Sequence, residues 1–192
     1  MMLAKKRRLG NKFQTGISNI QIMVTVLIGA ILISGSVGML RAIDQAKVDN
    51  DLRDLIDYKQ KTRSWWAQHG TFADTTQSDL VANNFFMQTD MTGSAPNVVV
   101  NNRWGGVVTV SMAGIYYAGD SLRFDYNNVP ARACKQLGMS AGAAADGVMV
   151  NGTWVKLTPA AGGNGLANEP NLISLCDAGN GFSTLSYFLT RF

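Results

Sequence analysis

Several groups of residues in this 192-residue chain have the types and spacing to do chemistry. Gly138-Met139-Ser140-Ala141-Gly142 fits the GxSxG pattern of a hydrolase nucleophile elbow. That motif needs a strand before the Ser, a helix after it, and a His to accept the Ser proton. In this sequence a helix-like segment precedes the motif and an Ala-Gly-rich loop follows it. The only His, His69, ends a long helical stretch, where the helix dipole favours it. A Ser hydrolase is therefore not expected. Asp120, Asp125, Asn127 and Asn128 could offer oxygen ligands to calcium, but they lack tight-loop spacing and read as polar residues of turns and strands. Asn151-Gly152-Thr153 fits a glycosylation sequon and also a tight turn, and the turn is the favoured reading. Cys134 and Cys176 lie in no CxxC and have no His or Cys partner nearby in sequence, which argues against a redox or zinc site. No P-loop, dinucleotide fingerprint or pair of catalytic carboxylates is present. The expectation is a protein that is not an enzyme, with no catalytic residues, no metal and no cofactor.

The element that organises these groups runs from Gly16 to Leu40 without one charged side chain. Its 24 residues after Gly16, as a helix at about 1.5 Å each, extend roughly 36 Å, enough for the ~30 Å hydrocarbon core of a bilayer. Lys5, Lys6, Arg7, Arg8 and Lys12 precede the run with no acid among them, so that end is expected to stay in the cytoplasm while the rest is exported. These five residues account for the whole positive balance. From Ile17 onward the chain has 12 basic against 13 acidic residues, a net of −1. A nucleic-acid partner is accordingly not expected. In an exported head, the two cysteines are either bridged or buried as free thiols. The oxidising compartment favours the bridge, whose separation of 42 would contribute about 3–4 kcal/mol on the chain-entropy model.

Past Arg41 the sequence turns polar but keeps helical spacing through Ile43, Val48, Leu52, Leu55, Ile56, Trp65 and Trp66, with Gly70 as the stop. One helix is expected over about 18–69, with favourably ordered charge pairs Asp49/Arg53 and Asp57/Lys61. The two Trp residues are expected to pack between helix and sheet. Residues 71–97 read as a connecting loop with a short helix near Ser78 to Asn84. Strands are expected at 98–100, 106–112, 115–117, 122–126 and 182–192. Pro130 opens a short helix that Gly138 ends. Val148 to Leu157 reads as a hairpin turning at Asn151-Gly152, because that pair supplies the positive φ values of a type I′ turn. The fold class is α+β.

A basic leader ending in Gly16, followed by an uncharged run with a polar residue near its start, resembles a type IV prepilin. The long helix, the sheet and the Cys134–Cys176 segment resemble the type IVb head. The resemblance implies that a prepilin peptidase cuts between Gly16 and Ile17, removing residues 1–16. Residues 17–40 would then form a transmembrane and filament-core helix, 41–70 its amphipathic half, and 71–192 a head containing the region bounded by 134 and 176. It also implies partners: the inner membrane before assembly, the pilus assembly machinery, and the protein itself in a homopolymer for adhesion, aggregation or conjugative mating. The head would sit in the periplasm first and on an extracellular filament afterwards. Two departures stand out. The fifth residue after the cut is Gln21 where pilins usually carry Glu, and Ile17 replaces the usual Phe or Met. Gln21 is the assembly residue of this reading, and its lack of charge leaves open a minor pilin or a type II secretion pseudopilin. A single-pass anchored periplasmic binding protein is a further alternative. So is an ordinary signal peptide cut near Ser34-Gly35-Ser36, although the run is long for one.

Overall fold

The computed structural model describes residues 19–94, 97–159 and 162–192, and among them the side chains from Ala42 onward apart from Ala143. The expected leader and the cut at Gly16 and Ile17 fall outside these residues. Contacts divide the chain into two units, Met1–Ala42 and Ile43–Phe192. In the first, the described backbone is helical from Asn19 and belongs to α1, Asn19–His69. Gln21 is the third residue of that helix, and its side chain is not among those described. Among the described residues no helix is long and apolar enough to cross a membrane, and the apolar side chains of the run to Leu40 are not part of that set.

The second unit is α+β, as its strand and helix patterns imply. Seven strands form one antiparallel sheet: β1 (Met91–Thr92), β2 (Val99–Asn101), β3 (Val107–Ala113), β4 (Ser121–Pro130), β5 (Gly147–Val150), β6 (Thr153–Lys156) and β7 (Phe182–Thr190), in the order β1-β2-β3-β4-β7-β5-β6. The C-terminal strand β7 therefore sits between β4 and β5, and the cysteine-bounded segment supplies the β5–β6 edge. Between β5 and β6, Val150 faces Thr153 across Asn151 (φ 50°) and Gly152 (φ 79°), the two positive values that a type I′ turn requires.

The part of α1 in this unit buries Val48, Asp51, Leu55, Tyr58 and Thr62, spaced alternately three and four apart. Such a stripe keeps one face of a helix on a partner. Tyr58 stacks on Phe124 of β4 with ring centroids 5.5 Å apart, and Phe85 and Phe86 close around the same pair. Ile43 and Ile56, expected on the packed stripe, are instead about half exposed. A short helix α2 (Gln77–Ala82) precedes this aromatic pair. Its Thr76 side chain caps Asp79 N–H while the Asp79 carboxylate caps Thr76 N–H. Two further helices, α3 (Ala131–Ser140) and α4 (Glu169–Ala178), lie beside α1.

Two local expectations are corrected, and one element is added. Residues 115–117 do not form a strand. The Asp120 carboxylate accepts the N–H groups of Ile115, Tyr116 and Tyr117 at 2.8–3.0 Å, which folds them into a turn. Gly138 does not end α3, which continues to Ser140. It sits where α3 approaches α4 so closely that a Cβ would lie 2.5 Å from Leu172 Cδ1. Helix α4 was not anticipated, although Asn168 caps Asn171 N–H at 3.2 Å and Pro170 stands in its first turn.

Candidate functional site

Sequence reasoning assigned site roles to Gly16, Ile17, Gln21, Cys134 and Cys176. The first three lie outside the described side chains. The two cysteines are joined, one from α3 and one from α4, with Cα atoms 5.8 Å apart and both residues buried. Ala133, Leu137 and Leu172 are buried in the same core as the bridge, and the bare face of Gly138 lets the two helices approach closely. The segment after α3 is held by Lys156, whose ammonium donates to the carbonyls of Gly142 and Ala145. Burial pushes the pKa of this lysine below its ordinary value, against the pull of Asp146. Asp146 in turn accepts from Lys59 of α1 at 2.9 Å and from the N–H and hydroxyl of Thr190. The disulfide-bounded region is thus tied both to the helix and to the central strand β7.

The residues that suggested other chemistry have structural partners. Ser140 is exposed at the C-terminal end of α3, where no strand-to-helix elbow exists. His69 stacks on Trp65 at 4.2 Å, and its Nδ1 lies 3.0 Å from the Trp65 carbonyl. Trp65 donates to Thr75 Oγ1, and Trp66 packs on Phe72, so the two rings face different neighbours. Asp125 pairs with Arg123 at 2.7 Å and accepts from the Ser186 hydroxyl, while Asn127 accepts from the Thr184 hydroxyl and donates to the Val107 carbonyl. Among the described residues no group of His, Cys, Asp or Glu could hold a metal ion.

A buried charged cluster was missed by sequence reasoning. Asp51 and Asp54, one helical turn apart on α1, point into the interface with the β2–β3 loop and are almost completely buried. Arg103 Nη2 meets Asp54 Oδ2 at 2.6 Å, Arg103 Nε lies 3.4 Å from Asp51 Oδ1, and Trp104 Nε1 donates to Asp51 Oδ2 at 3.0 Å. Asn102 builds the turn that presents both residues: its Oδ1 accepts from the N–H groups of Trp104 and Gly106, and its Nδ2 donates to the Asn127 carbonyl at 2.6 Å. Lys47 stands 5.0 Å above the Trp104 ring. Burial pushes the Asp51 carboxyl up to about 6, against the Trp104 hydrogen bond and the Arg103 charge, with Asp54 and Asp90 adding to the rise. Burial likewise raises Tyr58, Tyr126 and Tyr187 above the ordinary phenol range. No spacing in α1 announces this cluster. The one available signal was two acids on the buried stripe, which require a cation from elsewhere in the chain.

These features describe a head clamped onto a helix by a disulfide-bounded segment and a buried ion cluster. Among protein families, the model described as PilS N terminal matches residues 46–188. Among solved structures, the crystal structure of type IV b pilin from Salmonella typhi aligns with a TM-score of 0.52 at 20% identity, covering 73% of this chain and 99% of that one. No curated protein matches by sequence.

Proposed function

Because the chain belongs to the PilS family of type IV pilins, we propose that it is a structural subunit that polymerises into a type IV pilus filament. The family match over residues 46–188 carries this reading. The uncharged run after Gly16 supports it, since a subunit that must move from membrane to filament needs an apolar helix usable in both. In this reading a prepilin peptidase cuts between Gly16 and Ile17. The mature subunit then waits in the inner membrane through residues 17–40 with its head in the periplasm. Assembly machinery transfers the run from lipid into a bundle of like helices, an exchange that keeps most of its apolar surface out of water. Gln21, near the new N-terminus, holds polar atoms that need partners in either setting, and it would meet its own or a neighbouring helix rather than lipid. The filament would serve adhesion, aggregation or conjugative mating.

Two measurements test the proposal. Mass spectrometry of exported protein should find an N-terminus at Ile17; a start near residue 37 would contradict it. Deletion of the protein should remove surface filaments. One observation favours a second reading: Gln21 in place of the usual acid suits a minor pilin or a type II secretion pseudopilin. Abundant filaments surviving the deletion would select that reading.

A further inference from the structure

Two surfaces of the second unit, separated along α1, present different side chains: carboxylates beside one apolar floor, arginines among aromatic rings at the other. The first is an open groove of about 390 Å³ where α1, α3 and α4 meet. Val48, Met139 and Ile173 form its apolar lining, the last two 44% and 40% exposed, and Asp49 and Glu169 stand on its rim. Lys135, also on the rim, is engaged by Asp177 at 2.6 Å, Asp49 accepts from Gln45 Nε2 at 3.0 Å, and among the described residues neither Asp49 nor Glu169 is in an ion pair. The groove therefore sets three apolar side chains beside two carboxylates that no basic side chain pairs with among the described residues.

The second surface lies about 26 Å further along α1, by helical rise from the 45–49 turn to the 63–66 turn. Tyr117 and Phe192 are 59% and 54% exposed there. The Arg191 guanidinium lies 4.8 Å from the centre of the Trp66 ring and 4.6 Å from that of Phe192, with Tyr117 at 5.9 Å. Arg63 Nε donates to the Phe192 carbonyl at 3.0 Å. Among the described residues neither arginine is paired with an Asp or Glu side chain, and Arg191 Nε is buried without a hydrogen-bond partner. Aromatic and arginine side chains are the types that dominate binding energy in interfaces. This patch gathers two arginines around aromatic rings, of which Tyr117 and Phe192 are exposed.

We infer that the aromatic–arginine patch of one subunit docks into the acidic groove of the next. The occupant of the groove is a second copy of this chain, because the chain carries both halves of the pairing with complementary charge. The Tyr117 and Phe192 rings lie on Met139 and Ile173, and the Arg63 and Arg191 guanidinium groups face Asp49 and Glu169. Two different patches on one chain make a heterologous contact, which propagates as an open helical filament whenever its rotation does not close. With α1 parallel in successive copies, the contact sets an axial offset of about 26 Å between them. The inference rests on the filament-subunit reading and adds which faces meet.

The test begins with filaments from cells whose only copy is the wild-type protein, and then introduces Tyr117→Cys and Met139→Cys together. The two native cysteines are already joined, so the added thiols are the reactive ones. Mild oxidation of intact filaments should give a ladder of covalent multimers on non-reducing electrophoresis, whereas each single variant should give monomers and at most dimers. Independently, Asp49→Lys with Glu169→Lys should lower filament yield about tenfold or more, and adding Arg63→Glu should restore part of it, since facing charges act as a complementary set. Wild-type filaments with no ladder from this cysteine pair or from Phe192→Cys with Ile173→Cys, or charge variants that assemble normally, would overturn the contact and leave the subunit reading intact. Absence of the wild-type protein from filaments would overturn the subunit reading, and the contact with it.

Discussion

Helix α1 is held to the head from two sides by different chemistry. Toward α3 and α4 the fastening is apolar: the buried Val48 faces two helices that the Cys134–Cys176 bridge and the Gly138–Leu172 approach lock to each other. Toward the β2–β3 loop it is ionic, with Asp51 and Asp54 around the single guanidinium of Arg103 and the indole of Trp104. The first kind of contact draws on chain entropy and area removed from water, neither of which depends on pH. The second must repay the desolvation of charged groups, and more acid than base is buried there. The difference predicts which side fails under reduction and which under a change of pH.

Removing the bridge should have the largest effect. Cys134→Ser with Cys176→Ser, or reduction of the exported protein, frees a loop of 42 residues and should lower unfolding stability by about 4 kcal/mol. Chemical denaturation with and without reductant measures it. An unchanged midpoint would show that the helix packing alone holds this side. On the other side, Arg103→Ala leaves Asp51 and Asp54 buried without their cation and should cost about 3 kcal/mol, the low end of the range for a broken buried pair because Arg103 is 27% exposed. Asp54→Asn combined with Arg103→Met should recover part of that loss, since it removes both charges of the 2.6 Å pair while Asp51 keeps its hydrogen bond from Trp104.

How much of this was readable in advance differs between the two sides for a physical reason. The bridge needed only two cysteines and an exported compartment, and the β5–β6 hairpin needed only Asn151-Gly152, so local chemistry sufficed. The ionic side depends on a cation 49 residues from its acid in sequence, presented by an Asn102-centred turn, and no helical periodicity reports a partner that remote. Residues 115–117 failed for a related reason. Their β-branched and aromatic side chains suit a strand, but Asp120 takes their N–H groups. Helix α4 could have been found from Asn168-Glu169-Pro170, a cap followed by an acid and a proline in the first turn. Gly138 was read as a stop because glycine is common there, whereas its actual use is close helix contact, which only the tertiary fold reveals.

That use of Gly138 gives the third prediction. Gly138→Ala would place a Cβ 2.5 Å from Leu172 Cδ1 and 3.0 Å from Cδ2, inside a buried pair of helices. Alanine favours helix over glycine by about 1 kcal/mol, but overpacking a closed contact typically costs 1–3 kcal/mol, and the covalent bridge next to it prevents the helices from separating. A net loss of about 2 kcal/mol is expected, smaller in the background of Leu172→Ala, where the space exists. A stabilised Gly138→Ala variant would mean that α3 and α4 can slide apart around the disulfide.

The smallest effect separates the two sides by pH. The Asp51 carboxyl titrates near 6 in the folded protein against 3.8 for an ordinary aspartate, because burial outweighs the Trp104 hydrogen bond and the Arg103 charge. A raised folded-state value means that the native state binds the proton more tightly than the unfolded chain. Its contribution is therefore fully present below about pH 4 and is lost as the pH rises through about 6. At 1.36 kcal/mol per unit the shift bounds this loss at about 3 kcal/mol, and roughly half of that is expected in practice, since buried sites respond as though their surroundings were well above a dry dielectric. Asp90 is raised by its own burial and should add in the same direction, whereas Asp79, lowered by its hydrogen bonds with Thr76, opposes it. The informative quantity is accordingly the difference between wild type and Asp51→Asn in unfolding stability from pH 4 to pH 7. The wild type should lose about 1.5 kcal/mol relative to the variant across that interval, and the same difference should persist when the Cys134–Cys176 bridge is reduced in both proteins. Parallel curves for the two proteins would place Asp51 in contact with water. A difference that vanishes on reduction would show that the ionic side depends on the covalent side to stay closed.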